Sequence, residues 1–338
     1  MVLAMPNPMP NTPKIALRRY LANAKDVART PVTVTADPAV TVSTNVAAPQ
    51  PTDALEDWLV GGDSAVTTVT IPAHYTGQAV VLTGAAYAGG IVHVIVEAGA
   101  TVALEERWRT SGEHLGIWVV LDVAADATVN WLTYDAMTST TALVKRTANL
   151  AAHATLNWTT AGFTQASGAT LIAANLIGTG AKATVNVGVL AAGKQHVGYV
   201  TAMTNDGRQT VGHINQRGVI TGHAHLIFNG IGHIIHGARG SDNQQENRVL
   251  MLSPHARGDA NPILLIDEND VTAGHAASVT RVDERQLYYL MSRGLREDTA
   301  KRLVIRGFLE AGLAEITDPA LKAELFQTID ETLVNADA

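Results

Sequence analysis

From residue 70 to residue 280 the chain alternates β-branched or small apolar side chains with Thr, Asn and Gly, in short runs closed by Gly, Asn, Asp or Ala. Period-two alternation with that punctuation predicts strands and turns rather than helices. The runs also repeat. Ala100-Thr101-Val102, Ala127-Thr128-Val129, Ala154-Thr155-Leu156, Ala183-Thr184-Val185 and Gln209-Thr210-Val211 start 27, 27, 29 and 26 residues apart. A second series, Leu143, Leu171, Tyr199 and Leu226, falls between them at intervals of 28, 28 and 27. Each interval is too short for a βαβ unit but suits two strands per coil of a parallel β-helix, whose coils bury one continuous core only by stacking. The expected core is therefore an all-β, single-stranded solenoid over residues 70–280, with a β-sandwich as the alternative. Asn130, Asn157 and Asn186, each following the third residue of a repeat, are expected at recurrent corners or in ladders. Gly237 to Asn247 reads as a polar excursion, after which strands resume near Leu250, Leu264 and Val279.

The flanks read differently. Thr12-Pro13 is placed to cap a short helix carrying Ile15, Leu17, Leu21 and Ala24. Val32 to Val46 alternates as strands do, and Leu55 to Leu59 gives a helical turn with Trp58. Residues 1–13 are expected to be disordered, and residues 1–69 to form a small, partly helical N-terminal segment. Beyond residue 280 the charge density rises: residues 281–338 hold 19 of the 55 charged side chains, whereas residues 151–200 hold only Lys182 and Lys194. Asp283 is placed to cap a helix over Glu284 to Met291. Positions 300, 303, 304, 307, 308 and 311 give a second helix its apolar face, and Leu321, Leu325, Ile329 and Leu333 do so for a third. These features predict a helical C-terminal domain over residues 281–338, with its first two helices packed on the last coil.

The composition narrows the chemistry. A net charge of −7 argues against a nucleic-acid partner, and the absence of cysteine removes disulfides, thiol nucleophiles and thiolate ligands. There is neither an apolar run of transmembrane length nor a signal peptide, so a soluble cytoplasmic protein without a membrane partner is expected. Nucleophile elbow, Walker lysine motif and dinucleotide fingerprint are all missing. Seven histidines, His213, His223, His225, His233, His236, His255 and His275, fall in the last coils. Stacking leaves two readings open for them, a metal site or hydrogen-bonded surface imidazoles. A carbohydrate-active β-helix enzyme would need acidic or basic groups converging on a sheet face, and the central coils are nearly uncharged. That enzyme, and a purely structural solenoid for protein interaction, are the alternative functions.

One stretch carries more information. Asp270-Val271-Thr272-Ala273-Gly274-His275-Ala276-Ala277-Ser278-Val279 resembles the last-strand motif of the SufB/SufD family of iron–sulfur cluster assembly proteins. Asp283, Leu287, Tyr288-Tyr289-Leu290, Ser292-Arg293-Gly294-Leu295 and Gly307-Phe308 match the family's link from final coil to helices. Gln216-Arg217-Gly218-Val219 and Phe228-Asn229-Gly230 are similar to its penultimate coils. The resemblance implies a right-handed parallel β-helix with a helical C-terminal domain, serving as a non-catalytic subunit of the SUF scaffold. It implies pairing with a SufB-type subunit through the β-helix. It also implies binding of a SufC-type ATPase through the C-terminal helices, with Tyr288, Tyr289, Arg293 and Phe308 as contact residues. A chain without cysteine falls on the SufD side of the family. No cofactor is expected to stay bound to the isolated chain, while a transient iron–sulfur cluster is expected in the complex. For His275 the resemblance implies a part in cluster assembly, ligating iron or positioning sulfur; a packing histidine capping the last coil is the alternative. The isolated protein is expected to be able to homodimerise through its uncovered coil edge.

Overall fold

The computed structural model describes residues 12–21, 32–44, 50–60, 66–84, 90–109, 112–313, 316 and 318–336. Two sheets of nine strands face each other across a lumen. The first holds, in spatial order, β1 (Thr33–Thr35), β4 (Val80–Thr83), β6 (Thr101–Trp108), β8 (Thr128–Asp135), β10 (Thr155–Gly162), β12 (Lys182–Ala191), β14 (Val211–Ile220), β16 (Asp242–Met251) and β18 (Thr272–Arg281). The second holds β2 (Thr41–Thr44), β3 (Val66–Ile71), β5 (Gly90–Val96), β7 (His114–Val123), β9 (Thr141–Leu150), β11 (Ser167–Leu176), β13 (His196–Asn205), β15 (His225–Ile234) and β17 (Arg257–Ile266). Only β1 and β2 pair antiparallel; the coils themselves stack in parallel. This is the parallel solenoid that the alternation predicts. Inward positions are apolar and small, as the column Val129, Leu156, Ala183 and Gly212 illustrates. Gly212 is required there because a Cβ would lie 2.4 Å from Met203 Cγ.

One corner is the same in every coil. His74, Gly99, Asp126, His153, Gly180, Gln209 and Gly240 all have φ between 55° and 72°. Each of their N–H groups donates to a carbonyl one coil further on, as in His153 N to Thr179 O and Gly180 N to Arg208 O, at 3.0 and 2.9 Å. Stacking thus satisfies the corner backbone, while the left-handed conformation turns the chain. Gly180 has a second constraint, since a Cβ would lie 2.6 Å from His153 Nδ1. Gly180→Val is expected to lower stability by about 2 kcal/mol, read as a shifted urea midpoint, whereas His153→Gly should leave it nearly unchanged.

The register corrects the sequence repeats in detail. Thr101, Thr128, Thr155, Lys182, Val211, Asp242 and Thr272 form one column, at spacings of 27, 27, 27, 29, 31 and 30. Ala181, not Ala183, therefore follows Ala154, and Gln209 is a corner residue. In the other series Leu143 faces Ala169 rather than Leu171, and Tyr199 faces Phe228 rather than Leu226. The supposed excursion at Gly237 to Asn247 is a corner followed by β16. Asn243, Gln245 and Asn247 point inward and are held there: Asn243 Nδ2 donates to Asn205 Oδ1 at 2.7 Å, and Gln216 Nε2 donates to Asn247 Oδ1 at 2.9 Å. Asn130, Asn157 and Asn186 lie within strands rather than at corners, where Asn157 donates to Asn130 and Asn215 to Asn186.

Each sheet has an outer cover. Residues 12–20, α1 (Leu17–Leu21) and α2 (Ala54–Val60) lie on the second sheet. The first helix begins four residues beyond Pro13, because Thr12 and Ile15 close a turn instead. Ala24 and residues 1–11 fall outside the described residues, as do 45–49. On the other side, α3 (Glu284–Ser292), capped by Asp283, leads to α4 (Glu297–Glu310) and α5 (Pro319–Ala336). α4 buries Ala300, Ile305 and Leu309, and Leu303 is 51% exposed, so the expected apolar face is rotated. The reason is its seat: Ile305, Leu309 and Leu313 pack on Leu190, Val219 and Leu250 of the first sheet, with Leu313 in a notch left by Gly188. Thus α4 rests on the sheet rather than on the last coil, and α3 buries no residue. On α5, Leu321, Leu325 and Ile329 are buried as expected; the side chain of Leu333 lies outside the described residues.

Candidate functional site at the open end of the solenoid

Counting partners from coil to coil fixes where His275 points. Trp131, Trp158, Val185, Ile214 and Gln245 form one buried inward column, and His275 continues it onto β18. The two indoles at its base stack with centroids 4.0 Å apart. Ala273 and Ala277 flank His275 on the same face, above Asn243 and Asn247. The imidazole thus faces the mouth of the lumen and is exposed because β18 ends its sheet. Every residue of β18 except Gly274 is exposed. Leu265, Ile266 and Val279 add apolar surface there, at 47, 41 and 39% exposure. Both terminal strands offer an unpaired edge of backbone donors and acceptors. Beside His275, on the outer face, His213, Asn215, Gln244 and Glu246 line a hollow of about 370 Å³.

The other histidines are dispersed. His225 and His233 bond Asp259 and Asp267 at 2.7 and 2.8 Å on the second sheet. His213 stands 3.5 Å from Asp242 on the first, and His223 stacks on His255 at a corner. Among the described residues no three His, Asp or Glu side chains converge in a metal-holding group. A three-histidine centre is therefore not formed, because the fold distributes these residues over two sheets and their corners.

The helical end presents a second surface. Tyr288 and Tyr289 are 74 and 57% exposed, Met291 41%, and the Arg293 guanidinium lies 5.3 Å from the centre of the Tyr289 ring. A groove of about 640 Å³ runs beside them between α3, α4 and the corner at Leu252–Pro254. Phe308 does not join this patch; it packs against the buried cluster under α4, with Arg217 over its ring.

Sequence reasoning missed a charged centre inside the lumen. Arg146, Glu106 and Asp135 are all fully buried. Arg146 grips Asp135 through two nitrogens at 3.0 and 2.7 Å, and its Nε donates to Glu106 Oε2 at 3.0 Å, which also accepts from Trp108 Nε1 at 2.9 Å. Burial pushes the Glu106 carboxyl up, even against the nearby guanidinium. Burial also opposes the charge on Arg146, but Asp135 and Glu106 outweigh it and raise its pKa. The available signal was parity, since Arg146 follows Ala142 and Val144 at an inward position of β9.

A family description, "SUF system FeS cluster assembly, SufBD core domain", matches residues 82–308. The chain belongs to the SufBD family. Its match takes in the solenoid from β4 onward, His275, α3 and most of α4. The SufD protein of Bacillus subtilis is 51% identical over 156 residues, 46% of this chain and 36% of that protein. A SufBD family protein of Mycobacterium tuberculosis is 34% identical over 168 residues, 50% of this chain and 20% of its own length. One of Mycobacterium leprae is 38% identical over 116 residues, 34% and 13% respectively. The matched stretches thus span about a third or less of these relatives. No helix among the described residues of this SufBD chain is long and apolar enough to cross a membrane.

Proposed function

We propose that this chain is a SufD-like, non-catalytic subunit of the cytoplasmic SUF scaffold for iron–sulfur cluster assembly. In this reading it pairs with a SufB-type subunit through the open end of its solenoid and holds a SufC-type ATPase through α3 and α4. His275 contributes an imidazole at the paired end, where a cluster forms transiently with thiolates from the partner. Imidazole nitrogen replaces thiolate in some iron–sulfur centres, so a cysteine-free chain is chemically competent for that part. The observation that carries the reading is the terminal coil: its strand edges are open and its imidazole stands at the lumen mouth.

The test is paired co-purification of wild-type and His275→Ala protein with SufB- and SufC-type subunits. The variant is expected to recover the complex in full, because His275 is exposed and its strand neighbours Ala273, Gly274, Ala276 and Ala277 are small. Bound iron and acid-labile sulfide should fall about tenfold or more. Unchanged cluster yield at equal recovery would reject the role of His275.

A further inference from the structure

The N-terminal stretch Thr12 to Tyr20 lies outside the residues matched by the family description, yet it reaches the open end. Ile15 and Leu17 are 7 and 3% exposed and pack on the second sheet against Leu143, Ala169, Leu171 and Val200. Gly198 provides the notch for Ile15, since a Cβ there would lie 2.5 Å from Ile15 Cδ1. Lys14, at φ 62°, then reaches β17. Its ammonium lies 2.9 Å from Asp259 Oδ1 and 2.8 Å from Asn261 Oδ1. Both acceptors are themselves fixed: Asp259 Oδ2 is 2.7 Å from His225 Nε2, and Asn261 Nδ2 donates to Asn229 Oδ1 at 3.0 Å. Asn229 Nδ2 in turn donates to the Pro13 carbonyl at 2.8 Å, closing a ring of polar contacts across β15 and β17.

β17 needs such support. Among the described residues it is the last strand of its sheet and pairs only with β15, so its outer edge has no ladder partner there. We propose that Thr12–Tyr20 is a brace that holds β17 in the register needed for pairing with a second solenoid. This rests on the pairing reading above. The apolar anchors supply the grip and Lys14 the placement. An exposed ion pair contributes little by itself, but two fixed acceptors on one strand define where the ammonium sits.

Hydrogen exchange on the full chain tests the brace without any partner. Ile15→Asn is expected to speed amide exchange in residues 260–266 about tenfold or more, and Lys14→Ala about threefold, while β3 and β5, remote from the strap, keep their protection. Unchanged exchange in β17 for both variants would overturn the proposal. So would a uniform loss along the solenoid, because the strap would then support the whole fold rather than one end. Pairing of each variant with a SufB-type subunit is measured alongside and should weaken in the same order; full pairing with a loosened β17 would also overturn it. A wild-type chain that fails to pair would instead sink the pairing reading and leave the exchange result standing.

Discussion

Arg146→Met is expected to destabilise the protein by about 3–5 kcal/mol, the range for removing one partner of a buried ion pair. The substitution leaves Asp135 inside the lumen without the guanidinium that grips it, and Glu106 Oε2 keeps only the Trp108 indole. Glu106→Gln should behave very differently. Burial raises the Glu106 pKa, so its charge carries a desolvation cost; the amide sheds that cost while its oxygen still accepts from Trp108 and Arg146, and Asp135 still grips the guanidinium. Its expected cost is under about 1 kcal/mol. Urea unfolding of the two variants side by side checks the contrast, and equal losses would show that the fold depends on the Glu106 charge as much as on the guanidinium.

Tyr288→Asp combined with Tyr289→Asp is expected to weaken binding of a SufC-type ATPase at least about a hundredfold, near 3 kcal/mol. The two rings are the most exposed large apolar side chains described, and aromatic residues flanked by arginine are typical anchors of protein interfaces. Neither ring contributes to a buried cluster, so the unfolding midpoint should stay within about 0.5 kcal/mol of wild type. Calorimetric titration with the ATPase subunit gives the first quantity and thermal unfolding the second. Undiminished affinity would move the docking surface elsewhere.

Much of the architecture was legible because a solenoid repeats its constraints. Alternation and turn residues gave the two strand phases, and Asp283 and the Leu321–Leu325–Ile329 stripe gave two of the C-terminal helices. The exact register was not legible: sliding Ala183 by two residues preserves which side chains face inward, so the sequence signal barely changes. The inward amides of β16 were misread because Asn243, Gln245 and Asn247 bury polar groups where a strand pattern calls for apolar ones. For α4 the face was misassigned because apolar residues occur on more than one side and only the sheet beneath decides which are covered. The motif around His275 could be read directly, but its orientation follows only from register accumulated over the preceding coils.

The coils also lengthen along the chain. Partners in the second sheet lie 25 residues apart between β3 and β5 and 32 apart between β15 and β17. The additional residues lengthen the strands, since β3 and β4 are six and four residues long and β15 and β16 ten each, so the last coil has a greater contour than the first. A second copy stacked head to tail would meet a shorter coil, one already edged by the antiparallel strands β1 and β2. Growth by repeated addition, the route from a heterologous contact to a filament, would have to join these unlike ends. The two ends of the solenoid are therefore unlike surfaces, and the pairing proposed above uses the wide one.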